Sequence, residues 1–516
     1  MSTAKSNIYI CSGIRWTNDY IHTPYFATVD EQSRYFLSKV VKTFTDYTYL
    51  RRNWSIKVAG SMSDAQAWNY LYFQNYRERT YYYFITEVKY ISDETVELVL
   101  EMDVMQTYAF EYVLHTSFVD REHSFTDNVG DNTIDEGLEL GELENISVTE
   151  IEALKDYYIM SMATVEMKSP NFEEHNGGLM IDNVYAGCGI YACKHAEYME
   201  NIINNMGASK EGLISMWMYP SALVDSDAGN VIENAIDWVN GSKTFEHHIN
   251  VPASLKNYEP KNKKLLTYPY RYLYVSNNIG NSAVYRYERF GSSDVFFDVM
   301  GSVFPDGGVK LMPRKYNGID YNHEESLTLT GFPTCAWDSD AYKIWLAQNQ
   351  NQNTFKMVSA GASVIGGAAM LATGAGSVVG GGMIVAGVSQ IMGHLAQRKD
   401  MDTQPPQARG SQSASVNACN GQLTFSFYHK AITEERARIL DDFFTMYGYK
   451  TNRVKIPNKN ARENFTYTKT VGCHVSGRIC NDDLRKIQSV YDNGVTFWNN
   501  PDVIGDYTVS NKPKGA

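Results

Sequence analysis

The sequence predicts a mainly β protein with some α-helix, an α+β chain of several domains. Three observations carry this. The chain has 516 residues, too many for one compact core. It contains 37 tyrosines, and tyrosine favours strands, presenting an apolar ring with a polar tip that suits a sheet with one half-wet face. Most of its recognisable periodicity is of period two, with few stretches of period 3.6. The hydrophobic fraction of 43% and charged fraction of 20% are those of a globular protein. A formal charge of −13 argues against tight wrapping of nucleic acid, which needs lysine and arginine for the phosphates. An acidic wall still suits DNA that must slide past without sticking.

Residues 1–125 read as strands around one short helix, which predicts a small β-barrel. Asn7–Cys11 and Trp54–Val58 alternate at period two, and Tyr81–Tyr90 is dense in β-formers. Ser92-Asp93-Glu94 turns that run into Thr95–Val104, where apolar and acidic residues alternate, so the pair predicts a long hairpin with one wet face. Ser63 is placed to cap a short helix through Trp68. Residues 126–262 change character. Asp135, Glu136, Glu139, Glu142 and Glu144 form an acidic patch, a helix is expected over 194–206 with Gly207 closing it, and charge and loop signals mark an inserted surface domain.

Residues 263–346 return to strands, Leu265–Val275 and Ser326–Thr330, with a turn at Asn277–Gly280 and then a helix from an Asp338 N-cap through Asn349. Residues 347–410 form a long loop. Residues 411–516 are orderly: Ala431–Gly448 is amphipathic, with Glu434 and Glu435 in its first turn and Gly448 at its end. Asn481 starts a second helix that runs to Gly494, and strands are expected at Phe465–Thr468, Val471–Val475 and Val495–Trp498.

The loop holds the most unusual stretch, Met357–Gly393. No Asp, Glu, Lys or Arg lies between Lys356 and Arg398. Its apolar residues are Met357, Val358, Val364, Ile365, Met370, Leu371, Val378, Val379, Met383, Ile384, Val385, Val388, Ile391 and Met392. Gly366, Gly367, Gly374, Gly376, Gly380, Gly381, Gly382 and Gly387 supply flexibility. An uncharged run of this length can cross a bilayer. In water it makes a poor helix, because each glycine costs about 1 kcal/mol against alanine. In lipid an unsatisfied backbone costs more, and helix becomes obligatory. Polar hinges at Asn349–Asn353, Asp402–Pro406 and Gly410–Ser415 bracket it. The pattern resembles a fusion peptide, soluble while sequestered and membrane-active when released; the plainer reading is a flexible apolar linker or a buried plug that never meets lipid.

Catalytic motifs are scarce. His22, His115, His123 and His195 are scattered, and HExxH, GxSxG, Walker and CxxC patterns are missing. Asp135-Glu136 is a formal carboxylate pair for glycoside cleavage, but adjacency points the two side chains apart, and a solvated acidic turn fits better. Thr373–Gly382 carries fragments of a dinucleotide fingerprint without the strand and acidic residue it requires. Lys450, Arg453, Lys455, Lys459 and Arg462 form a basic stripe, expected as a solvated face or subunit contact ahead of a nucleic-acid site. Cys473-His474 with Cys480 offers three ligands of a metal site; seven widely spaced cysteines read better as thiols. No metal or cofactor is expected. The N-terminus has no apolar core of signal-peptide length, so cytoplasmic synthesis is expected.

Several runs carry a family resemblance. Tyr447–Asn458, Phe465-Thr466-Tyr467 and Asp492–Trp498, with Glu101–Tyr108, Ser117–His123 and Thr133–Leu138, resemble the tail knob proteins of phi29-like short-tailed bacteriophages. The matches keep their order over most of the chain and are weakest across 140–262. The resemblance implies two tail-tube-type β-barrel domains, 1–125 and 263–346 with 411–516, in a homohexameric ring at the distal tail end, joined to other tail and collar proteins. It implies that the hydrophobic loop of each subunit blocks the lumen and, on release, forms a pore in the host membrane for DNA, bound without sequence specificity. It implies no catalytic residues. The alternatives are a tail-associated cell-wall hydrolase with its pair in the middle domain and a soluble pore-forming toxin.

Overall fold

The computed structural model describes residues 7–515 except 46–54, 75–78, 168–179, 182–183, 186–187, 195–201, 203–204, 207–208, 210–211, 227–235, 292–293, 306, 333 and 337–422. The chain forms two compact units. The first is Met1–Gly141, Asn257–Tyr270 and Thr433–Ala516; the second is Glu142–Lys256 and Arg271–Ile432. These boundaries differ from the five stretches read from composition. Composition changes along the chain, whereas sheets recruit strands from distant positions. The protein is mainly β with a few helices, as expected.

In the first unit, six antiparallel strands lie in the order Val40–Phe44, Ile8–Ser12, Trp68–Gln74, Thr80–Ser92, Thr95–Met102 and Ser55–Ala59. The long hairpin is present, and along Thr95–Met102 the residues Val96, Leu98, Leu100 and Met102 turn inward. Among the described residues the two end strands do not pair, so the sheet is open. Aromatic rings fill its core: Phe36 stacks on Tyr70 at 5.3 Å and meets Tyr82 at 4.4 Å. The short helix is Met62–Ala65 and its cap is Ser61, not Ser63; the Ser61 hydroxyl accepts from the Asp64 N–H at 3.2 Å.

A second sheet of this unit joins His22–Pro24, Val495–Trp498, Phe465–Val471, Ser117–Glu122 and Tyr449–Lys455. The helix Glu434–Tyr447 begins after its N-cap Thr433 and stops at Gly448, so Ala431 and Ile432, expected as helix, finish a strand instead. The second helix, Asn481–Asn493, starts one residue beyond Cys480, which occupies the cap position assigned to Asn481.

The second unit has three larger sheets. Leu143–Glu150, Ser426–Ile432, Arg271–Ser276 and Ser282–Tyr285 form one. Val224–Ser226, Ile236–Ser242, Gly189–Cys193, Tyr157–Ala163, Leu213–Pro220 and Thr334–Ala336 form another. Thr244–Ile249, Val295–Gly301, Val309–Tyr316 and Ile319–Tyr321 form the third, with Leu327–Leu329 beside it. The expectation of a loop-dominated surface domain over 126–262 is therefore corrected. Gly189–Cys193 is buried throughout, and Leu213–Pro220 nearly so. Strands covered on both faces are continuous apolar runs and give no alternation to read.

The strand expected at Leu265–Val275 is also corrected. Lys263–Leu266 is a 3-10 turn and the strand begins at Arg271. Pro269 between them has no N–H to give a ladder. Most of the helix expected over 194–206, and all of the one over 339–349, lie outside the described residues.

Candidate functional site

The loop residues singled out above, from Met357 to Met392 with glycines 366–387, lie outside the described residues. Their attachment points do not. Thr334–Ala336 pairs with Leu213–Pro220 on one side of the segment. On the other side Leu423, Phe425 and Phe427 are buried in the apolar cluster of the second unit, and Ser426–Ile432 pairs with both Leu143–Glu150 and Arg271–Ser276. The described strands on either side of 337–422 thus belong to the same unit. Among the described residues no helix is long and apolar enough to cross a membrane.

The acidic turn is not solvated at its centre. The Glu136 side chain is fully buried and pairs with Arg121 and Lys264, whose side chain is 2% exposed. Its Oε1 also accepts from the Lys450 N–H at 2.9 Å. Asp135 accepts from the Gly137 N–H at 3.0 Å, closing the turn. A fully buried carboxylate held by two cations has no open face for the substrate of a glycosidase acid. The pair proposed for wall hydrolysis is thus a structural clasp, and sequence adjacency could not reveal partners at 121, 264 and 450.

The basic stripe is likewise not one face, a correction to the sequence reading. Lys455 reaches buried Glu122 at 2.5 Å. Lys459 sits over the Tyr112 ring at 4.9 Å, and burial lowers its amine pKa. Arg462 is 4% exposed, while Arg453 faces solvent. Loop geometry after Lys455 turns these side chains to different surroundings.

Cys473 is buried beside Asp492, and burial pushes its thiol up to about 11. Cys480 donates to Asp483 at 3.0 Å. Among the described residues no three His, Cys, Asp or Glu side chains converge for a metal. Of the histidines, His22 accepts from Trp498 Nε1 at 3.2 Å, His115 lies 4.7 Å from the His474 ring, and His123 is buried; His195 lies outside the described residues.

Two buried polar centres were invisible to sequence reading. Asp103 accepts from Trp16 Nε1 at 3.0 Å, Tyr70 Oη at 2.9 Å and the N–H groups of Met105 and Gln106, both at 3.1 Å. Asp441, inside a helix, accepts from Tyr258 Oη at 2.6 Å, the N–H groups of Lys261 and Asn262, and Asn262 Nδ2 at 2.7 Å. The first holds the sheet to the turn after it, and the second docks the stretch 257–270. These are scaffold chemistry: satisfied carboxylates without access for a substrate.

Residues 235–512 match the family described as the C-terminal domain of the Bacillus phage phi29 tail knob protein gp9. The chain belongs to that family. Residues 4–113 match a second family, the N-terminus of the caudoviral major tail protein. The tail knob protein gp9 of Bacillus phage B103 is 27% identical, and that of Bacillus phage phi29 also 27%, each alignment covering 98% of both chains. The solved structure of the bacteriophage C1 tail knob protein gp12 superposes with a TM-score of 0.68 over 98% of this chain and 100% of that one, at 14% identity, a likeness of fold. This tail knob protein is a structural component of a phage tail, and the clasps described above are the means by which its scaffold is fixed.

Proposed function

We propose that six copies of this tail knob protein form the distal tube of the tail. Six loops, residues 347–410, would plug the lumen and on release enter the host membrane as a channel for the genome. The protein acts without catalysis, and its partners are its own copies, the adjoining tail and collar proteins, the host membrane and passing DNA. The observation that carries this reading is the uncharged run Met357–Gly393 in a chain of net charge −13. Both flanks of the segment run into strands of the second unit, which supports a deployable loop over a terminal anchor. In the tube, apolar surface of one loop packs on that of the next; in the membrane it packs on lipid, each arrangement favoured by about 25 cal/mol per Å² removed from water. The acidic balance suits a lumen that repels DNA.

The test is leakage of dye from liposomes by the purified protein and by a variant lacking residues 357–393. Leakage is expected from the first alone, and equal leakage from both sinks the membrane role. Light scattering at micromolar concentration checks the ring separately, since a monomer there contradicts the tube.

A further inference from the structure

A cavity of about 390 Å³ lies in the first unit between the run Tyr507–Pro513 and the loop carrying Lys261 and Asn262. Its lining includes three cations, Lys261, Arg462 and Lys512, and no Asp or Glu. In a chain of net charge −13 that concentration of positive charge runs against the overall balance. Arg462 is 4% exposed, and its Nε and Nη2 have no hydrogen-bond partner among the described residues. These two atoms share the edge of the guanidinium whose N–H bonds run parallel, the fork that takes two oxygens of one oxyanion.

The backbone around Arg462 is well fixed. Its N–H donates to Thr466 Oγ1 at 3.2 Å, its carbonyl accepts from Asn499 Nδ2 at 3.0 Å, and it bridges to Pro513. Asp127, the carboxylate that acts on Arg462 electrostatically, is turned to Tyr449 Oη at 2.6 Å and the Lys263 N–H at 3.3 Å. His123, also in the lining, uses both ring nitrogens, accepting from the Tyr467 N–H and donating to the Thr445 carbonyl. Lys261 is 3.9 Å from Asp442, at the limit of an ion pair, and Lys512 forms none among the described residues. A buried guanidinium with two N–H groups unsatisfied is unfavourable, so the cavity calls for an anion.

We propose that this cavity binds a phosphate group, with Arg462 supplying the fork and Lys261 and Lys512 closing the rim. Three cations match a dianion better than a single carboxylate, and the volume leaves room beyond the phosphate for the body of a small phosphorylated molecule. Free phosphate and such a monoester share this chemistry.

Equilibrium dialysis of the full-length protein against labelled inorganic phosphate tests it, with glycerol phosphate, acetate and a short oligonucleotide as competitors. One saturable site per chain is expected, displaced by glycerol phosphate and not by acetate. Competition by glycerol phosphate tighter than self-competition by phosphate assigns the monoester, and weaker competition assigns the free ion. Arg462→Gln is expected to weaken binding at least about tenfold. Because that variant removes a buried side chain, the rim pair Lys261→Gln with Lys512→Gln, both exposed, serves as the second variant and is expected to weaken binding about tenfold. Failure of phosphate to saturate, undiminished binding in the rim variant, acetate competing as well as phosphate, or tighter binding of the oligonucleotide each overturns the proposal.

Discussion

The two units bury different things. The second closes over one large apolar cluster, running from Ile151 through Tyr219, Phe297 and Leu311 to Phe427, and among its described charged residues only Asp237 and Arg271 are buried. The first has an apolar cluster of its own, yet it also buries Asp103, Glu122, Glu136, Lys264, Asp441 and Arg462. It is the unit assembled from three separate stretches of chain. Asn257–Tyr270 contributes no strand to it; it buries Leu265, Leu266 and Tyr270 and is fixed by polar contacts through Asp441 and through the Lys264–Glu136 pair. Apolar burial is non-directional and rewards many registers nearly equally. A carboxylate that needs three or four donors accepts only one. The comparison suggests that stability comes from apolar packing in both units, while the docking of a short, distant stretch is specified by charge.

The sharpest way to break this contrast is at Glu136. Replacing it by alanine leaves Lys264 buried and unpaired, and a loss of about 3–5 kcal/mol is expected from the shift of the urea midpoint. Replacing both members of the fully buried pair, Glu136→Leu with Lys264→Met, is expected to recover part of that loss, because that pair's desolvation disappears with it while Arg121 still lacks its carboxylate. If the double variant is as unstable as the single one, the clasp is a source of stability and not of register.

The counterpart in the second unit is Phe297, fully buried against Tyr285, Phe290 and Phe427. Phe297→Ala is expected to cost about 3–4 kcal/mol by cavity formation, with no partner substitution that restores it short of refilling the volume. A restoration by a polar change nearby would contradict the apolar description of that core.

Acid separates the units more finely. His123 of the first unit is held neutral by burial and the Arg462 charge, its pKa lowered to about 3, and His429 of the second by burial, lowered to about 4. Both folded-state values lie below the ordinary 6.5. The unfolded chain therefore binds the proton more tightly, and stability is full above that value and falls as pH drops. For His123 the slope is about 1.4 kcal/mol per pH unit over most of the window. Glu122 and Asp127, raised by burial, act in the opposite sense. The difference between wild type and His123→Gln, read as urea midpoint against pH, isolates the histidine. A difference that does not change below pH of about 6 removes His123 from the account of acid sensitivity.

Much of the scaffold was legible in the sequence, for identifiable reasons. Period-two alternation gave Thr95–Met102, and Glu434, Glu435 and Gly448 marked a helix to within three residues at its start. Gly448 also shows where letters stop. Its φ of 64° with ψ of −151° is not the usual left-handed terminator but a conformation essentially confined to glycine, and a Cβ there would also collide with the backbone of Glu122 and His123, more than three hundred positions away. The buried strands of the second unit carried no alternation, and Glu136, Asp103 and Asp441 looked like any exposed acid. Their character comes from tertiary partners, which one sequence does not display. The apolar run was the easiest feature to find, because its composition differs from everything around it and needs no partner to be recognised.

The smallest expected effect concerns the place where the chain passes from the second unit to the first. Ile432 ends a strand of one, and Thr433 caps the first helix turn of the other, its hydroxyl accepting from the Arg436 N–H at 3.4 Å. The cap's gain is local, since it satisfies one of four N–H groups that have no partner within the helix. Thr433→Ala is expected to cost about 1 kcal/mol, read as a lower thermal midpoint. Thr433→Ser keeps the oxygen and is expected to restore nearly all of it. If serine fails to do so, the threonine methyl and not the hydroxyl matters at that junction. The start of this helix would then rest on apolar contact, as the core of the second unit does, and the division of labour drawn above would not extend to helix caps of the first unit.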